Sequence, residues 1–428
     1  MKYIIYISLI LTTLSCDEPT ANPIQETDEM AYNTYLSNDS RPGYESALEQ
    51  KEFWSQKMRP DSTGAGTLAP LASSYAALFD KTGDAKYLTI AEELLLKGRE
   101  ISAHNKDGYG HALAKNYISQ HRFKEAREIL EEVYSQPNNE LTTELMLFDV
   151  YMELGEYQKA DSLLGKVKNN SDFNYLIRLA KWSDYRGDLD SAIKYLEQAK
   201  EIADASGKKE LKVWTYSNIA DYYGHAGRIE DSYNHYMKTL ALEPDNAYAK
   251  KGIAWIKYSK EKNTTEARRI LDSVMVHHKI PDYHLLLAEM AAFEGDEEEE
   301  KKQLSLFKEK VQEGSYGAMY NTYLIELYAE ENPELALSIA NEEVKNRATP
   351  ETYHLLAYAQ LKNNEPEKAL RTIEDHVAGK TYEPMAQYHS ALVYKANGEL
   401  AKMSVRKEEL LGASYELGPV TAAEIKKL

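Results

Sequence analysis

Small and apolar side chains recur along this chain with two periods, one inside the other. Ala126, Ala160, Ala192, Ser232, Ala267, Glu300, Ala336, Ala369 and Met403 follow one another at intervals of 34, 32, 40, 35, 33, 36, 33 and 34 residues, with Glu300 the one charged occupant of the series. Twelve residues before most of them lies a second small or apolar residue: Ala114, Phe148, Ala180, Ala220, Leu324, Ala357 and Ala391. Five residues before several stands a glycine: Gly155, Gly187, Gly227, Gly295 and Gly398. Two apolar sites with a glycine between them predict two antiparallel helices joined by a tight turn. The glycine takes the left-handed conformation that ends the first helix without a steric penalty. A small residue on each helix lets the two backbones approach, and tyrosine and leucine fill the space around that contact. Each helix is predicted at about 13–15 residues, or roughly 20 Å at 1.5 Å per residue. Pro244 and Pro137 are placed to end second helices, since proline has no N–H to continue them.

The clearest copy runs over 213–246, where Tyr216, Ile219, Ala220, Tyr223, Gly227, Ser232, Tyr236, Thr239 and Pro244 stand in order. This segment resembles a tetratricopeptide repeat, whose period is about 34 residues. The resemblance extends in part over residues 68–415. It implies an all-α fold, a right-handed solenoid of about nine or ten helix pairs in which each pair buries its apolar face only by stacking on its neighbours. In that family the first helix of each pair lines a concave surface. Carried onto this sequence, that places Trp214, Ser217 and Asp221 inside near Ala220, and Tyr248, Lys251, Trp255 and Tyr258 around Ala254. Asn174, Lys181 and Asp184 fall inside near Ala180, and later repeats add Glu289, Asn321, Tyr328, His354 and Tyr358. Aromatic rings beside charged groups are what a protein-binding hot spot uses. Trp214, Asp221, Lys251, Trp255, Tyr258, Lys181, Asn321 and Tyr358 are therefore the expected partner-binding residues, with the two tryptophans foremost.

The departures from the period carry their own expectations. The interval of 40 contains Ala203–Lys209, which supplies the extra residues as a longer second helix or as a loop. Residues 68–97 form a degenerate first unit, in which Ala76, Phe79 and Gly83 fit but the next small site is Ala91. Residues 32–67 are expected to be a helical cap on that unit. Residues 387–411 form the last pair, and 416–428 are expected to be a tail with a short helix.

The N-terminus has a different pattern. After Met1-Lys2 comes an apolar run, Tyr3 to Leu14, which ends at Ser15-Cys16. A run of that length matches a secretory segment and falls short of the ~20 residues that span a bilayer as a helix. A small residue followed by cysteine here resembles the lipobox of bacterial lipoproteins, with Thr13 where that motif usually has leucine. The resemblance implies a signal peptide over 1–15, cleavage before Cys16, and acylation of Cys16, the palmitate-bearing residue of an outer-membrane lipoprotein. Cys16 is the only cysteine, so no intramolecular disulfide competes for it. Residues 16–31, with two prolines and little apolar mass, read as a flexible tether. The Asp17-Glu18 pair resembles a surface-export signal and reads equally as a solvated tether.

Charge narrows the partners. With 51 basic and 69 acidic side chains the formal net charge is −18, which repels phosphate backbones, so nucleic acid is not an expected partner. Candidate chemistry is sparse. The sequence has no GxSxG, Walker A loop, dinucleotide-binding glycine run or HExxH. His277 and His278 are adjacent, so on a helix they would point about 100° apart and form no chelating face. His104, His111 and His121 are too loosely spaced to form a ligand set. Asp296–Glu300 reads as the negative start of a second helix, favoured by the helix dipole. Tyrosine outnumbers phenylalanine 33 to 7, and most of it falls at repeat-core positions. The expectation is a non-catalytic scaffold without cofactor or metal, anchored in the cell envelope and binding another exported or membrane protein. A SusD-like lipoprotein that binds a glycan or nutrient is the second reading. The match is poorer, because such proteins are longer and carry large insertions among fewer repeats. An uncharacterised hydrolase is the third.

Overall fold

A computed structural model describes residues 29–37, 40–58, 64–136 and 140–428. The described residues form α-helices joined by short turns, with no strand among them. Cys16, the predicted signal peptide and most of the tether lie outside the described residues, as does Pro137.

Two helices come first, the short α1 (Glu29–Leu36) and the longer α2 (Pro42–Lys57). Ten helix pairs follow. They are α3 (Ala65–Thr82) with α4 (Lys86–Ile101), α5 (Lys106–Ser119) with α6 (Phe123–Tyr134), and α7 (Glu140–Glu153) with α8 (Tyr157–Lys166). Next are α9 (Phe173–Tyr185) with α10 (Leu189–Ser206), α11 (Lys209–His225) with α12 (Ile229–Leu242), and α13 (Ala247–Trp255) with α14 (Thr264–Met275). Then come α15 (Asp282–Glu294) with α16 (Glu297–Glu313), α17 (Asn321–Glu331) with α18 (Pro333–Asn346), and α19 (Pro350–Lys362) with α20 (Pro366–His376). The last pair is α21 (Pro384–Ala396) with α22 (Leu400–Gly412), after which α23 (Ser414–Lys427) closes the chain. The architecture is a tetratricopeptide-type α-solenoid.

Local chemistry sets the boundaries. The five predicted glycines all have φ between 72° and 76°. At the equivalent turn of three other repeats, His121, Lys262 and Asn364 are forced to φ of 57–60°, a conformation that side chains with a Cβ adopt at a cost. Asp172, Asp188, Asn246, Asn263, Asp296 and Asn332 each accept a hydrogen bond from an amide in the first turn of the following helix. The acidic run is the first turn of α16, with Asp296 as its cap and Lys301 and Lys302 paired to Glu297 and Glu299. The ADASGKK stretch extends α10 to Ser206 and ends it at left-handed Gly207, so the long interval is a longer helix. Ala114, Ala126, Ala160, Ala192, Ala220, Ala336, Ala357, Ala369 and Ala391 are all fully buried where the helices of a pair cross.

Two places break the period. Ala254 lies thirteen residues before Ala267 instead of twelve, and the extra residue is absorbed in a π-helical turn, Ile256–Lys260, that continues α13. In α17 the fully buried residue is Ile325, not Leu324, so the inner face of that helix is rotated by one position.

First helices form an inner layer and second helices an outer one, since α7, α11, α17 and α19 touch the next first helix along the array. The spiral is not open, as the repeat alone would suggest. It winds back on itself, with polar contacts joining residues 162 to 233 positions apart, or about five to seven repeats. At one seam Lys279 N–H donates to Thr82 O at 2.9 Å and the Tyr316 hydroxyl to Gly83 O at 2.9 Å, beside a Lys81–Glu243 ion pair of 2.6 Å. At another, Arg347 pairs with Glu153 at 3.3 Å, and the backbone of Ala348 lies against Gly155, where a Cβ would meet its carbonyl oxygen at 2.6 Å.

Both chain ends pack on surfaces far away in the sequence. The 32–67 segment does not simply cap the first pair. Helix α2 packs on α3, but α1 crosses to the outer helices α12 and α14. There Tyr32 is buried against Tyr233, and its hydroxyl donates to Glu266 at 2.6 Å. The helix expected in the 416–428 tail is α23. Helix α23 folds back onto α11, the π-turn, α15 and α21, that is, onto the inner layer. A 3.6-residue pattern shows that a helix has an apolar face but not which distant surface covers it.

Candidate functional site on the inner face

The inner face has two open regions and one covered region. The larger opening is a chamber of about 820 Å³ between the first-turn helices α2 and α3 and the inner helices α11, α13, α15 and α17. Its walls carry large aromatic side chains that remain exposed: Trp214 at 39%, Tyr248 at 53% and Tyr323 at 43%. Trp214 is held edge-on to Phe173 with ring centroids 5.8 Å apart. Lys251 reaches Asp282 at 2.5 Å, and the Tyr320 hydroxyl donates to the other oxygen of Asp282 at 3.3 Å. Burial opposes the charge on Lys251, but Asp282 outweighs it and holds its pKa above the ordinary lysine value. Phe79, Lys81 and Gly43 enter from the first turn, so winding of the spiral completes the chamber.

A smaller opening of about 360 Å³ lies between α7, α9 and the region of α19–α21. Lys181 sits there, 2.9 Å from Glu153, with Arg347 on the far side of the same carboxylate. Asp184, Glu351, Glu383 and Glu416 converge on the same opening with Tyr157, Tyr185 and Tyr382. Burial, reinforced by the neighbouring carboxylates, pushes Glu383 up to about 7.

The expected residues divide accordingly. Trp214 and Lys251 line the chamber, with Ser217 and Tyr248. Asp221 lies behind the wall, where the hydroxyls of Tyr236 and Tyr248 both donate to it. Asn321 is tied by its amide to Glu343 at 2.9 Å, so it fastens α17 to α18. Lys181 and Asp184 line the smaller opening. Trp255 lies beneath α23, 6.5 Å from the ring of Tyr415. Two residues are not available at all. Tyr258 is fully buried, because the π-turn rotates it off the groove into the core, where its hydroxyl donates to Glu289 at 3.1 Å. Tyr358 is also buried, stacked on His389 with centroids 4.0 Å apart and bonded to Glu330. His354 is buried with it, its Nδ1 2.9 Å from that of His389.

Sequence reasoning missed Tyr323, Met319, Asp282 and the first-turn residues. The phase shift at Ile325 accounts for Met319, and nothing local could reveal contacts made across a full turn. His278, one of the adjacent histidines, is engaged by the Tyr283 hydroxyl at 2.8 Å, and burial lowers its pKa to about 4. Among the described residues no three His, Cys, Asp or Glu side chains are placed to share a metal ion. Among them, too, no helix is long and apolar enough to cross a membrane.

Residues 173–245 match the tetratricopeptide repeat family. That span holds the pairs α9–α10 and α11–α12. That segment is matched as tetratricopeptide repeat, and the described residues on either side of it continue the α-solenoid of stacked helix pairs. No curated protein sequence matches it. Among solved structures it is similar to yeast Tom70, at 15% identity and a TM-score of 0.41, covering 90% of this chain and 95% of that one. It is similar to a tetratricopeptide repeat protein from Parabacteroides merdae, at 14% identity and 0.39, covering 63% and 93%. A Rap protein complexed with Competence and Sporulation Factor gives 13% identity and 0.42, covering 76% and 99%. The repeat architecture supports a protein-interaction scaffold.

Proposed function

We propose that this protein is a non-catalytic adaptor that binds a polypeptide partner in the chamber on its inner face, while a lipid on Cys16 anchors it to the bacterial outer membrane. The observation that carries the binding half is the set of exposed Trp214, Tyr248 and Tyr323 rings around the Lys251–Asp282 pair. Large rings that stay exposed, where every other described tyrosine except Tyr382 is buried or half-buried, are the kind of anchor that protein interfaces bury. The anchoring half rests on the apolar run that ends at Ser15-Cys16, and the partner is then another exported or membrane protein. Affinity capture from detergent-solubilised envelopes tests the binding half. The wild type retains a specific protein and Trp214→Ala with Tyr323→Ala loses it; no specific protein with either counts against the reading. Labelled palmitate should enter the wild type and not Cys16→Ser.

A further inference from the structure

The covered part of the inner face is occupied by the chain itself. Helix α23 is kinked at Gly418 (φ 79°, ψ 165°) and Pro419, and its first turn is wedged against three inner elements. The Ser259 hydroxyl donates to Tyr415 O at 2.6 Å. The Tyr415 ring lies over Gly224 of α11, where a Cβ would sit 2.9 Å from a ring carbon. Gly418 rests on Trp255 and Glu289, with no room for a Cβ. Beyond the kink, Ala422 and Ile425 are buried and Glu424 accepts from the Tyr388 hydroxyl at 2.7 Å. Gly412, just before the helix, has open space around its Cα. The sequence that enters the groove is thus an aromatic anchor, a tight kink and a short amphipathic helix, joined to the array at an uncrowded glycine.

One contact in this arrangement is unfavourable. Glu416 lines the opening that already holds Asp184 and Glu383, and among the described residues its carboxylate has no Lys or Arg partner: the basic group beside it is the His225 ring, at 3.9 Å, which bears a charge only when protonated. Carboxylates gathered in one opening repel one another and work against docking of the helix.

We propose that the groove formed by Gly224, Trp255, Ser259 and Glu289 is a second polypeptide-binding surface, with α23 as its displaceable occupant. The partner that takes its place presents an aromatic anchor followed by a basic residue, where α23 has Glu416. This deepens the scaffold reading and rests on it, yet it concerns a different part of the inner face. An occupant tethered at Gly412 acts at high effective concentration, so a competitor succeeds only by making better contacts. The Glu416 mismatch is where better contacts are to be had.

Hydrogen exchange on the full chain provides the first test. Residues 414–427 should exchange at least tenfold faster than α21 and α22 by opening on their own, and Glu416→Lys should slow them by closing the mismatch. A change that improves docking cannot be mistaken for damage to the fold. The second test uses a fluorescent synthetic peptide of residues 413–428. It should bind full-length Tyr415→Ala at least tenfold more tightly than the wild type. A peptide carrying Glu416→Lys should bind more tightly still, and Gly224→Leu, which fills the anchor's seat, should abolish binding. The proposal is overturned if α23 exchanges only together with α21 and α22, if Glu416→Lys speeds its exchange, or if peptide binding is the same in all chains. None of these readouts depends on the chamber partner, so the scaffold reading survives such a failure. Conversely, failure to capture a partner leaves these results untouched.

Discussion

Trp214 and Trp255 occupy neighbouring first helices of the same inner layer, and the repeat pattern treats them alike. Trp214 stands at the wall of an open chamber, 39% exposed, while Trp255 lies under the protein's own C-terminal helix. The repeat determines that both side chains face inward. What the rest of the chain lays over that face determines whether a partner can reach them. In a solenoid that winds back on itself, contacts about five to seven repeats away thus decide which part of a periodic surface is accessible.

Replacing each tryptophan in turn should give the largest contrast. Trp255→Ala is expected to destabilise the fold by about 2–4 kcal/mol, since it empties a packed site shared with Tyr258 and Tyr415. Trp214→Ala should cost under about 1 kcal/mol in stability and lower affinity for the chamber partner at least tenfold. Urea denaturation and a binding titration on both variants measure this. Similar losses of stability for the two would erase the distinction.

The seam that closes the spiral is the next target. Gly155 and Gly227 share the left-handed conformation, with φ of 75° and 72°, but Gly227 faces open space and Gly155 faces the Ala348 carbonyl. Gly227→Ala should cost about 1 kcal/mol from the backbone alone. Gly155→Ala should cost about 1 kcal/mol or more beyond that, because the opposed backbone has to shift. Thermal denaturation of the pair decides it.

Acidity should act on the covered region. Burial raises Glu289, beneath Gly418, to about 7, against the partial opposition of the Tyr258 hydroxyl and Lys262. The folded chain therefore holds this proton more tightly than the unfolded chain. The stabilisation is complete below the ordinary value of 4.5 and is lost as pH rises through about 7. Melting curves between pH 5 and 8 should show a decline that Glu289→Gln reduces.

The smallest effect is expected at the turn after the π-helix. Lys262 holds φ of 58° where five other repeats have glycine, so Lys262→Gly should stabilise the protein by up to about 1 kcal/mol. No gain in melting temperature would mean that the Lys262 Nζ bond to Ser259 O, at 2.5 Å, outweighs the strain.

The helix pairs were legible because the rule is local. A small residue on each helix and a glycine between them specify a hairpin, and Ala126, Ala160, Ala192 and Ala220 are buried where that rule puts them. The site was legible only where the period held. Trp214 and Lys251 lie in regular helices and line the chamber, whereas Tyr258 was misjudged because one inserted residue became a π-turn. The docking of α1 and α23 was not legible. Their amphipathic faces announce a partner surface, and the choice among distant surfaces is made by shape and by single residues such as Gly224 and Tyr32.

The most direct test of the account is site-specific photo-crosslinking in intact cells. A photo-reactive residue is placed at Trp214, at Trp255 and at Lys194 on the exposed outer face of α10. Position 214 is expected to capture a specific envelope protein, position 255 to yield mainly an internal crosslink to 414–418, and position 194 to capture nothing specific. The same adduct from 194 as from 214, or no internal product from 255, would contradict the account.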